Sequence, residues 1–207
     1  TNQKFEGEAR DPDFNTIFTK ISDVELKPDN NHLIAEVNKI VVIDENYVVS
    51  DRRGKQLLVF NRNGKLENSI GKDGDGPGEF RHITDIDVNK QKEILLLDER
   101  NRKVSKFKLS GKFISSVNVD WAEAIIADSE NGFYLYNAHC GIEPDSEENL
   151  IKHYNVEGEI DISFCKPFFK FGIVPGDFVN DKDGNLYVTQ FFHYGAEKYA
   201  PLGKYLF

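Results

Sequence analysis

Methionine is absent from the 207 residues, and cysteine occurs only twice, at Cys140 and Cys165. Two cysteines are too few for a disulfide framework, and their separation has none of the short spacings that hold zinc. Basic residues are outnumbered, with 26 Lys and Arg against 35 Asp and Glu, for a formal charge of −9 at pH 7. That balance argues against a nucleic-acid backbone or an anionic membrane as the main partner. No apolar run approaches the roughly 18 residues of a transmembrane segment, and no signal-peptide core opens the chain. The first residue is Thr1, which together with the missing methionine leads to the expectation of a processed or trimmed chain. What is present suffices for a packed core: 39% of residues are hydrophobic and 12% aromatic, which is not a disordered composition.

Internal repeats decide the fold class. Residues 55–66 (KQLLVFNRNGKL), 103–114 (KVSKFKLSGKFI) and 149–160 (NLIKHYNVEGEI) share a strand–turn–strand pattern. In each, an aromatic residue precedes a glycine by four positions: Phe60 and Gly64, Phe107 and Gly111, Tyr154 and Gly158. Both the aromatic and the glycine recur after 47 residues at each step, and Asp51 and Asp98 are also 47 apart, each closing a short apolar run. Runs such as 39–43, 47–50 and 94–97 have strand length and no helical period. Asn63-Gly64, Ser110-Gly111 and Asp183-Gly184 are hairpin signals, because glycine takes the positive φ that tight turns require. No stretch combines 3.6-residue apolar spacing, caps and length, so helix is expected to be nearly absent.

A period of about 40–50 residues with four strands each is the mark of a β-propeller blade. The expected architecture is all-β, a propeller of four-stranded antiparallel blades within a single domain, 1–207. The blades are read at about 37–70, 83–119, 124–170 and 178–207, the last lacking its outermost strand at the C-terminal end. Residues 16–27 (TIFTKISDVELK) fall outside the repeat yet look like a strand, and are expected to complete the last blade and so protect its edge.

The run from Ile21 through Asp51, followed by residues 55–80, resembles the opening of the six-bladed β-propeller proteins of Bacteroidetes, relatives of NHL-repeat and TolB-like propellers. The most specific element is residues 71–80 (GKDGDGPGEF), similar to the connection between blades in that family. The resemblance is clear over about 16–119 and looser to 190. It implies a secreted or lipid-anchored protein, in the periplasm or on the cell surface with its signal removed. Six blades of this period need on the order of 280 residues, so only about three and a half to four are expected here.

The glycine-rich run 71–78 is not a nucleotide loop. A Rossmann fingerprint opens a helix and a P-loop ends in Gly-Lys-Ser/Thr, whereas Pro77, Glu79 and Phe80 lead into another strand. The expectation is a structural link. Asp181-x-Asp183-Gly184 lacks the glycine spacing of an EF-hand and reads as a turn. His139-Cys140 has no second ligand pair, and no catalytic residue is assigned.

An insertion is more informative. From Asp98 to Phe107 is nine residues, whereas from Asn137 to Tyr154 is 17, the extra residues lying in 138–149 (AHCGIEPDSEEN). In a four-stranded blade this loop shares a face with the connections between blades. That face should therefore gather 51–55, 71–81, 99–102, 138–149, 175–177 and 193–198, and long loops at one end of a rigid scaffold are where binding sites usually sit. The candidate ligand-binding residues are Arg52, Arg53, His82, Asp85, Arg100, Arg102, His139, Glu143, Asp177, Asn180 and His193. The leading expectation is a non-catalytic binding propeller with no cofactor, its partner a small molecule, glycan or protein. The alternative is a hydrolase or lyase acting on a sugar derivative, with calcium or another divalent metal in the channel near His82, Asp85, Asp177 and Asn180. A third class, an assembly component pairing through its final blade, is also open.

Overall fold

The computed structural model describes residues 23–138, 148–167, 176–181, 183–190, 196–200 and 204–205, the last two as backbone. Among them there is no helix, and the strands form four four-stranded antiparallel sheets. Blade one is β1 (Val37–Ile43), β2 (Asn46–Asp51), β3 (Gln56–Phe60) and β4 (Leu66–Ile70). The link to the next blade carries two short strands, β5 (Lys72–Asp73) and β6 (Glu79–Phe80), paired in parallel. Blade two is β7 (Asp85–Val88), β8 (Ile94–Asp98), β9 (Lys103–Phe107) and β10 (Phe113–Asn118). Blade three is β11 (Ala124–Ala127), β12 (Phe133–Tyr136), β13 (Ile151–Tyr154) and β14 (Ile160–Phe164). Blade four is β15 (Gly176–Asn180), β16 (Leu186–Gln190), β17 (Ala196–Ala200) and β18 (Lys204–Tyr205).

The composition of the middle strands follows from burial on both faces. Every residue of β8 is buried. Ile94 and Leu96 pack with Ile43, Leu57 and Ile70 of blade one, while Leu95 and Leu97 pack with Ile125, Phe133 and Tyr154 of blade three. A strand covered on both sides carries apolar side chains at odd and even positions, so ILLLD shows no alternation. Strand β12 behaves likewise: Phe133 and Leu135 face blade two, Tyr134 and Tyr136 face Phe178, Leu186 and Val188 of blade four. Burying each such side chain contributes about 1.5–3 kcal/mol. The inner strands β1, β7, β11 and β15 pack side by side in that order.

The outer hairpins close on the glycines that the repeat picked out. Gly64, Gly111 and Gly158 have φ of 75°, 83° and 84°. Each glycine N–H donates to the carbonyl three residues earlier, on Asn61, Lys108 and Asn155. This is a type I turn ending in a left-handed residue, which fits the twist of the flanking strands.

Two expectations need correction. Blade four does have an outermost strand, the two-residue β18, with Tyr199 opposite Tyr205 and Ala200 opposite Lys204. The described part of the N-terminal segment lies on blade one: Lys27 forms a parallel bridge to Lys65 and its N–H donates to Gly64 O at 2.7 Å. Leu26 and Ile34 pack there on Val49, Leu58 and Phe60. Residues 16–22, which carry the rest of the expected closing strand, lie outside the described residues.

Candidate functional site

The long-loop face is assembled by two buried aspartates at the ends of second strands. Asp51, which is fully buried, accepts from Ala35 N at 2.8 Å, Glu36 N at 3.0 Å, Gly54 N at 2.8 Å and Gln56 Nε2 at 3.1 Å. Burial pushes its carboxyl up, but these hydrogen bonds outweigh that and hold it below the ordinary carboxylate value. Asp98 repeats the arrangement, accepting from Arg81 N at 2.7 Å and Asn101 N at 3.1 Å. Each aspartate thus ties the turn after its own strand to the segment entering the same blade. The 47-residue recurrence of Asp51 and Asp98 is therefore architectural.

Residues 71–80 are a structural link, as expected. Gly76 N donates to Glu79 Oε2 at 3.0 Å, and Arg81 forms two hydrogen bonds to Asp75, at 2.8 and 2.5 Å. Lys103 Nζ donates to the carbonyl of Gly76 at 3.3 Å. The loop's own side chains and backbone occupy the groups a phosphate would need.

The inner strands use their polar residues to stitch blades together. Asp85 receives Lys39 Nζ of blade one at 3.0 Å and Ile125 N of blade three at 3.0 Å. Asp87 accepts from Ala127 N at 2.7 Å, and burial pushes its carboxyl up. Asn38 Nδ2 donates to Thr84 O at 3.2 Å. Asn180 Nδ2 donates to Ala127 O at 3.4 Å. These bonds satisfy edge groups that an innermost strand otherwise leaves open.

Five of the candidates gather where blades one and two meet. His82 Nδ1 is 3.3 Å from both Thr84 Oγ1 and Glu99 Oε1. Glu99 N donates to Thr84 Oγ1 at 3.0 Å. Arg52 Nη2 donates to Thr84 O at 3.1 Å, while its Nε is buried without a hydrogen-bond partner. Such a donor costs about 1–3 kcal/mol. Burial lowers the His82 pKa; Glu99 opposes that, and the positive charges of Arg100 and Arg52 reinforce it. Arg53, Arg100 and Arg102 are exposed, and among the described residues none has an ion pair or a side-chain hydrogen bond. The junction is a positive rim on an acidic chain.

The remaining candidates do not join this rim. Asp177 is exposed at the start of β15, with its carboxylate on Phe178 N at 2.8 Å. Asn180 is at the far end of the same strand, so the expectation that it shares the long-loop face is corrected: it borders the opposite, short-loop face. Direction along a strand decides this, since three residues of β-strand advance the chain by about 10 Å. His139, Glu143 and His193 lie outside the described residues, as does Cys140. Of the four residues considered for a channel metal, two are already engaged: Asp85 by Lys39 and two backbone N–H groups, and Asn180 by the carbonyl of Ala127. No cluster of three metal-ligating side chains occurs among the described residues.

Sequence reasoning missed the short-loop face. There a cavity of about 740 Å³ opens between the first turns of blades two, three and four, bordered by Lys90, Glu130, His153, Asp161 and Asp183. His153 is almost wholly buried, its Nε2 2.7 Å from Asp128 Oδ2 and its Nδ1 2.5 Å from Asp161 Oδ1, with the Tyr134 ring centroid 4.5 Å away. Burial lowers the His153 pKa, but the two carboxylates more than reverse that and raise it. At Gly132 a Cβ would approach Tyr154 O at 2.4 Å and Asp128 Oδ2 at 2.8 Å, so only glycine leaves room for the pair. The signal was present in the repeat, where His153 falls in the register of buried Val59. A histidine there needs acidic partners.

Comparison with known proteins matches this architecture. The family model DUF5128, described as a 6-bladed beta-propeller, matches residues 5–194. No curated protein matches the sequence. A Bacteroides fragilis structure superposes with a TM-score of 0.75 at 19% identity, over 89% of this chain and 53% of that one. A member of the DUF4221 family from Bacteroides vulgatus gives 0.64 at 11% identity, over 87% and 59%. Virginiamycin B lyase from Staphylococcus aureus gives 0.58 at 10% identity, over 81% and 53%. The chain thus spans little more than half the length of these structures, and at such identities the likeness carries the fold alone. On the family match and the four blades together, the chain belongs to the six-bladed β-propeller family.

Proposed function

We propose that the chain forms part of a non-catalytic binding propeller of the bacterial cell envelope, taking a small molecule, glycan or protein on its long-loop face. The observation that carries this reading is the rim at the junction of blades one and two. Arg53, Arg100 and Arg102 are open to solvent with no partner among the described residues, while other polar side chains around them are engaged in holding loops and blades. Charged groups free of structural duty are those available to a ligand. An envelope location is in keeping with the Bacteroides fragilis neighbour, whose name marks it as an export candidate. Fractionation of the native host tests that part; recovery of the protein in the cytoplasm would refute it.

The test of the binding reading is a ligand screen on the 207-residue chain, with amide chemical shifts mapping each hit. Perturbations confined to 52–55, 81–85 and 99–102 are the expected result. A hit mapping to the turns at 61–64 and 108–111, or chemical conversion of a bound compound, would count against it. The second reading, a metal-dependent hydrolase or lyase acting on a sugar derivative in the channel, has in its favour that lyases are among the structural neighbours. Turnover that requires added calcium would decide for it.

A further inference from the structure

We infer that the junction of blades one and two holds an oxyanion of the carboxylate or sulfate class, bound between Arg52, His82 and Arg100. This rests on the binding reading above and adds the ligand chemistry. A guanidinium presents five N–H donors in a planar fork that matches a two-oxygen face. In Arg52 one donor is engaged, Nη2 on Thr84 O at 3.1 Å, and this contact pins the side chain. Nε is left buried without an acceptor. Glu99, an acid at the junction, is held at 3.3 Å by His82 Nδ1 and donates its own N–H to Thr84 Oγ1. No hydrogen bond or ion pair ties Glu99 to an arginine among the described residues.

His82 makes the arrangement selective for an anion. Its Nδ1 faces Thr84 and Glu99, and no described group hydrogen-bonds its Nε2. The charged groups that act on the ring are Glu99 and Asp98 on one side, and Arg100 and Arg52 on the other. An anion seated against the two arginines would cancel their effect on the imidazole and add its own. Binding should therefore be accompanied by proton uptake at His82, which neither a neutral ligand nor an apolar one would cause. The free anion and the same group carried on an acidic saccharide would use the same three side chains.

The experiment titrates the chain with sodium sulfate, with glucuronate and with an acidic oligosaccharide, following the His82 imidazole by NMR and affinity by calorimetry at constant ionic strength. The expected result is an upward move of the His82 titration midpoint with anion. Arg100→Ala and Arg52→Lys, which keeps the charge but removes the planar guanidinium fork, should each weaken binding at least about tenfold, one tenfold step being 1.4 kcal/mol. Arg62→Ala, on the opposite face and paired with Glu45, should change nothing. Binding of the free anions assigns the site to a small ligand; binding of the oligosaccharide alone assigns it to an acidic glycan. An unmoved His82, or affinities equal in wild type and both arginine variants, overturns the oxyanion site. If another ligand still maps to 52–55 and 99–102, the binding reading survives that result; if none does, both fall.

Discussion

The two ends of the propeller treat charge in opposite ways. At the short-loop face the acids that border the cavity are largely committed: Asp128 to His153 and to two backbone N–H groups, Asp161 to His153, Asp181 to its own turn. At the long-loop face Asp51 and Asp98 are committed in the same manner, yet Arg53, Arg100 and Arg102 near them are not. A pocket's shape alone would favour the short-loop end. The state of its side chains favours the other, because a group already satisfied has little to gain from a ligand. The concave surface and the chemically available surface are thus different places on this molecule.

The comparison can be tested from its largest effect downward. Gly64→Val should destabilise the chain by about 4 kcal/mol, through positive-φ strain and overpacking, because a Cβ there would lie 1.9 Å from the carbonyl of Glu25. Gly111→Val should cost about half as much, since its Cβ would meet the movable amide of Asn68 at 3.0 Å. Equal losses in urea unfolding would mean the N-terminal segment is not seated on the first hairpin.

Asp51→Ala comes next, at about 3 kcal/mol, because several buried donors lose their acceptor. A loss below about 1 kcal/mol in the same measurement would show that the long-loop face does not depend on its aspartates.

His153→Ala should cost about 2 kcal/mol at mildly acidic pH, and its signature is pH dependence. The folded-state pKa of His153 is raised, so its contribution is complete below 6.5 and fades as pH climbs through the folded value. Burial raises the Asp128 pKa, but the bond from His153 and those from two backbone N–H groups lower it overall. Its contribution is therefore present above 3.8 and lost as pH falls through the lowered value. The gap between wild type and variant should be widest between those limits and narrow as pH climbs through the raised folded value of His153. A gap independent of pH would remove the imidazolium from the argument.

The smallest effects should be those of Arg53→Ala, Arg100→Ala and Arg102→Ala, each within about 0.5 kcal/mol of wild type. Larger losses would show that these arginines hold structure, and the contrast between the faces would collapse.

Much of the fold was legible in the residues. The 47-residue recurrence of Phe60 and Gly64 with Phe107 and Gly111 marked the outer hairpins, and turn chemistry is local, requiring only a residue that tolerates positive φ. Apolar runs marked the middle strands because burial on both faces removes the polar alternation. The candidate site was legible only in part. Arg52, His82 and Arg100 stood among eleven candidates for one face, but nothing in the spacing indicated that Asp85 bridges to Ile125, 40 residues on, or that Asn180 ends at the other face.

The sequence by itself determined the blade, its period, its glycine turns and its apolar middle strands, since these depend on contacts within about 15 residues. Only the tertiary structure decided which polar residues are at rest. A polar side chain is structural or available according to the partners that neighbouring blades bring to it, and those neighbours are 40 or more residues away: Asp85 meets Lys39 and Ile125, and Asn180 meets Ala127. What packing left exposed and without a partner among the described residues, Arg53, Arg100 and Arg102, is what the long-loop face has to offer a ligand.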